Sequence, residues 1–232
     1  MRELVRASCV LGLAFVVSGS AALAAPAKRA LAAGHSREAL ERAVTQQPGD
    51  PAAHLALGKS YATAGLRTSA ILAYLRSLSL DSESAQALTA AQAVRGMLTQ
   101  GVSQGKDGGI KITISEPSED NPLSIMDLSL SLTAGTRHLD ESKGKTEMQW
   151  IADSLDTVFS IAEERGLKGQ DGCFPCRQYL PFVLDLKDKS LLEPFLYVAM
   201  SSLHLPGSSE WLAAHAAKVS ELKKSLASKS AS

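Results

Sequence analysis

Aromatic residues are scarce in this chain, at 5% of 232 positions. Any core must therefore rest on Leu, Ala and Val, a composition that suits helices packed at close range. Net charge is lacking too, with 24 Lys and Arg against 24 Asp and Glu. Nucleic acid demands a basic footprint, so no nucleic-acid partner is expected. Cysteine is limited to three residues, too few for a disulfide-dense scaffold or a four-thiolate zinc site. Catalytic signatures are absent as well. No HExxH pair, no GxSxG elbow and no glycine loop ending in Lys-Ser/Thr occurs. The histidines His35, His54, His138, His204 and His215 fall on separate segments without i, i+4 pairing. Adjacent acidic pairs, Asp140-Glu141 and Glu163-Glu164, read as solvated surface. No catalytic residue, metal ligand or cofactor is nominated, and the chain is read as a non-enzyme.

What is present starts with a three-part leader. Arg2 and Arg6 form a basic start, residues 7–25 run uncharged and rich in Leu, Val and Ala, and Ala22-Leu23-Ala24 closes the run with small residues. This is the pattern of a secretory signal peptide over residues 1–25, with cleavage expected after Ala24 or Ala25. Cleavage removes two basic and one acidic residue, leaving 24 − 2 = 22 basic against 24 − 1 = 23 acidic. No later segment approaches the ~20 apolar residues of a membrane span. The expected location is periplasmic or secreted, which permits disulfides. Cys9 leaves with the leader, so Cys173 and Cys176 remain as a pair.

Punctuation then divides the chain. Ser36 is placed to cap a helix whose face carries Ala39, Leu40, Ala43 and Val44, and Pro48-Gly49-Asp50-Pro51 ends it. Further helices are predicted from Pro51 to about Thr63, from Arg67 to Leu80 and from Ala85 to about Thr99. Residues 101–121 change character. Gly105 to Gly109 reads as a flexible turn and Ile110 to Ile114 as a short strand within a linker.

Helical signal returns in residues 122–232. Leu128-Ser129-Leu130-Ser131-Leu132 alternates like a strand, but the Asn121-Pro122 cap favours a helix with Ile125, Leu128 and Leu132 as its stripe. Thr146 and Gln149 form a capping-box pattern before an amphipathic run that Gly166 closes. Helices follow over about 176–187, 191–204 and 208–226, with Pro181 kinking the first of these or marking its first turn. Trp150 and Trp211, each near a helix start, are assigned first to core packing and second to an interface. Residues 228–232 are expected to form a disordered tail.

Leu57-Gly58-x-x-Tyr61, then Ala70 and Tyr74, resemble the signature of the tetratricopeptide repeat, with one full repeat at residues 51–84 and a preceding second helix over about 36–48. Gly58 and Ala70 are small where two antiparallel helices would cross. His54 departs from the pattern by standing where Trp is usual, as do Ser77 and Ser82. The resemblance covers about residues 36–84 and implies a short repeat-like helical domain at 26–100; with the helices read in 122–232 as a second bundle, the expected fold is all-α. It also implies a groove lined by the first helix of the repeat, where Ala52, Leu55, Lys59 and Ala62 would meet a protein or peptide partner. So short a groove would be completed by self-association or by docking on the C-terminal half.

Cys173-Phe174-Pro175-Cys176 is the one compact reactive constellation. It reads as a disulfide pinning the turn from Gly169 into the next helix. The alternative is a thiol–disulfide redox protein, although no strand run suggestive of a thioredoxin fold flanks it. The sequence thus points to an exported, non-catalytic interaction or scaffolding protein.

Overall fold

In the computed structural model the described residues are 36–104, 110–113, 118, 121–137 and 144–230. The expected signal peptide at 1–25, the expected glycine turn at 105–109, His35, His138 and the last two residues lie outside them. The fold is all-α, with eleven α-helices and one two-stranded ribbon among the described residues.

The first half is an array of antiparallel helices: α1 (Arg37–Gln46), α2 (Pro51–Thr63), α3 (Arg67–Leu80) and α4 (Ala85–Thr99). Each boundary has a local cause. Asp50 accepts from the Ala52 N–H while Pro51 occupies the first turn of α2, where its missing N–H costs nothing. Gly65, at φ 75°, turns the chain into α3, and Ser84 caps α4 through the Ala87 N–H. Ser36 sits at the N-cap of α1 but makes no side-chain cap bond. The α2/α3 crossing is tight. A Cβ built on Gly58 would lie 2.7 Å from the Tyr74 ring, and Ala70 is fully buried.

The strands β1 (Val102–Gln104) and β2 (Ile110–Ile112) pair antiparallel, Val102 opposite Ile112. The ribbon leans on α5 (Ser124–Thr136), where Ile112 sits close against Gly135. α5 is helical, as the cap context indicated, but its stripe differs from the predicted one. Met126, Leu130 and Ala134 face inward, while Leu132 is 49% exposed and Ile125 and Leu128 are half-buried. The polar residues Asp127 and Ser131 turn the helix, because both bond to α3.

α6 (Glu147–Glu164) opens on the expected capping box and ends before Gly166 at φ 63°. α7 (Phe174–Gln178), α8 (Leu180–Asp188) and α9 (Leu192–Ala199) follow. Pro181 marks the first turn of α8, so the predicted single helix over 176–187 is two. α9 stops at Ala199, and a 3-10 turn at Ser201–Leu203 continues toward His204. The last predicted helix is also divided, into α10 (Ser208–Ala214) and α11 (Ala216–Ser230). At the break, His215 stacks on Trp211 with ring centroids 4.0 Å apart, and its Nδ1 lies 2.8 Å from the Trp211 carbonyl. α11 reaches Ser230, so residues 228–230 of the expected tail are helical.

One apolar cluster runs from Leu40 to Leu222 and joins both halves. α3 is its centre, buried from Arg67 through Leu75. Burying a Leu or Ile side chain stabilises by about 1.5–3 kcal/mol, so this helix ties the N-terminal helices to everything that follows. Trp150 is buried beneath the Arg137 guanidinium, and Trp211 is half-buried against Tyr197. No helix among the described residues is long and apolar enough to cross a membrane.

Candidate functional site

Three polar links hold the halves together, and the second borders a cleft. The first is His54. It is fully buried, with Nδ1 3.0 Å from the Tyr179 hydroxyl and Nε2 3.0 Å from the Pro48 carbonyl. Pro48 can only accept, so Nε2 carries the proton and Nδ1 accepts from Tyr179. Burial pushes His54 down to about pKa 4, against the raising effect of the Pro48 carbonyl and helped by Arg76. The position thus meets a hydroxyl from the C-terminal half, a contact that a ring nitrogen can make.

The second link caps α3. Its N-cap residue, Leu66, has no side-chain acceptor. Asp127 of α5 supplies one, its Oδ1 taking the Thr68 N–H at 2.7 Å and the Thr68 hydroxyl at 2.6 Å. A carboxylate at a helix N-terminus satisfies an orphan N–H and the helix dipole together. Burial raises the Asp127 pKa, and these Thr68 bonds work against the rise. Arg67 beside it donates to the Met97 carbonyl and to Ser131, completing the third link.

Beside the second link, with Asp127 in its wall, opens a cleft of about 510 Å³. Glu41 of α1 and Tyr61 of α2 form one wall, with the Tyr61 hydroxyl donating to Glu41 Oε1 at 2.8 Å. Burial, and then that Glu41 partner, push the Tyr61 pKa far up, so the phenol stays protonated. Asn121 and Asp127 stand opposite, and the turn from Gly172 to Pro175 closes the end.

That turn carries the disulfide. Cys173 and Cys176 are bonded, with Cα atoms 5.2 Å apart and both residues buried. The Cys176 carbonyl accepts from Gly169 N–H at 2.9 Å, so the bridge does pin the turn after Gly169, which has φ 77°. Cys173 nevertheless borders the cleft.

Of the four residues placed in the groove by the repeat frame, Lys59 is exposed, Ala52 and Ala62 are half-buried, and Leu55 is 4% exposed. Leu55 belongs to the core cluster, and so does not present its side chain to a partner. Ala62 instead borders a smaller cavity shared with Met97, Thr113 and Ser131. Asp127, Glu41 and Ser69 carried no signal in the sequence, because their neighbours lie 20 to 59 positions away or belong to the cleft alone. No group of three or more candidate metal ligands occurs among the described residues. No family model, no curated protein and no solved structure matches the chain.

Proposed function

We propose that this chain is an exported interaction or scaffolding protein, built on a tetratricopeptide-like hairpin and acting by holding a protein or peptide rather than by catalysis. One observation carries the proposal: the 510 Å³ cleft is assembled from both halves, with apolar and polar side chains converging on open space. The tight Gly58–Tyr74 crossing supports the repeat-like frame. The partner surface moves with the geometry, from the first-helix face containing Lys59 to the cleft beside α1 and α7.

A photo-crosslinking residue at Phe174, on the cleft wall, tests this in the native envelope. The proposal expects a discrete crosslinked species from Phe174 and none from Ser220, exposed on α11. Equal labelling from both positions would count against a dedicated site.

A second reading has its own support. Because Cys173 borders the cleft, a bound partner would lie beside the disulfide, as a thiol–disulfide redox protein requires. A Cys176→Ser variant that keeps every cellular role removes that reading.

A further inference from the structure

We propose that the cleft receives the basic side chain, lysine or arginine, of an extended partner peptide, an inference that rests on the interaction role proposed for the same site. Charge is the first ground. Among the described residues the lining holds three carboxylates, Glu38, Glu41 and Asp127, against one guanidinium, Arg37. An acidic or phosphorylated ligand would be repelled, whereas a cation would find complementary charge.

Unused acceptor capacity is the second ground. A carboxylate has about four acceptor sites. Glu41 receives one short hydrogen bond, from Tyr61, and its approach to Arg37 is 3.8 Å, beyond hydrogen-bond length. Among the described residues, Asp127 Oδ2 receives only a 3.3 Å bond from Asn121.

Ser69 is the third and independent ground. The residue is 4% exposed, it borders the cleft, and its hydroxyl has no hydrogen-bond partner among the described residues. The hydroxyl is not sealed from solvent, and the cleft is what it opens onto. Nearby helical hydroxyls such as Thr63 bond back to a carbonyl four residues earlier; Ser69 does not. An N–H donor entering the cleft would find there an acceptor that no described residue engages.

Shape agrees with chemistry. Leu66, Phe174 and Pro175 give apolar walls for an alkyl stem, and a guanidinium can also lie over the Phe174 ring. A side chain with an apolar stem and a cationic, donor-rich head fits both parts.

The test is a ¹⁵N NMR titration of the mature chain with capped Ala-Ala-Arg-Ala-Ala, its Lys analogue, and Gln and Glu analogues. The Arg and Lys peptides should shift the amides of Ser69, Asn121 and Gly172, with the Gln peptide about tenfold weaker or worse. Added salt should weaken the Arg peptide. Glu41→Gln should lower its affinity about tenfold. Ser69→Ala, whose hydroxyl supports no contact in the fold, should lower it without changing stability. Glu221→Gln on α11 should do neither. Equal binding of the Arg and Gln peptides overturns the inference. Shifts gathered at Lys59 and Thr63 also overturn it, while leaving peptide binding itself in place. Silence with every peptide likewise ends the cleft assignment, and crosslinking from Phe174 then decides the interaction role separately.

Discussion

Lowering the pH from 7.5 to 5 should destabilise the protein, and His54 sets by how much. The imidazole is fully buried between the Pro48 carbonyl and the Tyr179 hydroxyl, and burial holds its pKa down to about 4 from the ordinary 6.5. In the unfolded chain the same ring takes up a proton near pH 6.5. Between the two values the unfolded state binds a proton that the native state refuses, so acid favours unfolding. The stabilisation is therefore complete above about pH 6.5 and lost progressively down to about pH 4. Linkage gives a loss of about 2 kcal/mol by pH 5 and about 3 kcal/mol once both states are protonated. Urea unfolding at a series of pH values measures it, and a His54→Gln variant removes the titration while offering an amide to both neighbours. The wild type should lose about 2 kcal/mol more than the variant between pH 7.5 and 5. Parallel losses in the two proteins would refute a buried, neutral His54 at the junction of the halves.

Three further outcomes follow from the packing. Gly58→Ala places a methyl 2.7 Å from the Tyr74 ring, so overpacking of about 1–3 kcal/mol should outweigh the gain of up to about 1 kcal/mol in helix propensity, lowering the melting temperature. Asp127→Ala strands the Thr68 N–H and hydroxyl and should cost about 1–3 kcal/mol in urea unfolding, against less than about 0.5 kcal/mol for the exposed Lys59→Glu. Reducing Cys173–Cys176 should lower stability by only about 2 kcal/mol, because the bridge spans a sequence separation of 3; collapse of the fold in dithiothreitol would contradict this.

Much of the fold was legible because its boundaries are written locally. Asp50-Pro51, Gly65, Ser84 and the Thr146/Gln149 box each terminate or start a helix through bonds within a few residues. What stayed hidden depends on distant partners. The stripe of α5 was misplaced because Asp127 and Ser131, polar by type, face inward to meet α3 across 59 and 64 positions. Leu55 was expected at a partner surface, yet it sits in the core shared by both halves. His54 was singled out as a departure from the repeat, but its reason, Tyr179, lies 125 positions away. The cleft is not legible in the sequence, since its walls come from four separated stretches that only packing brings together.

Hydrogen–deuterium exchange of the mature protein, with and without the partner captured through Phe174, tests the interaction role most directly. Protection should concentrate at residues 37–41, 61–69, 121–127 and 172–175, which line the cleft. Protection confined to α10 and α11, or no protection beyond that of the free protein, would contradict a partner held in the cleft.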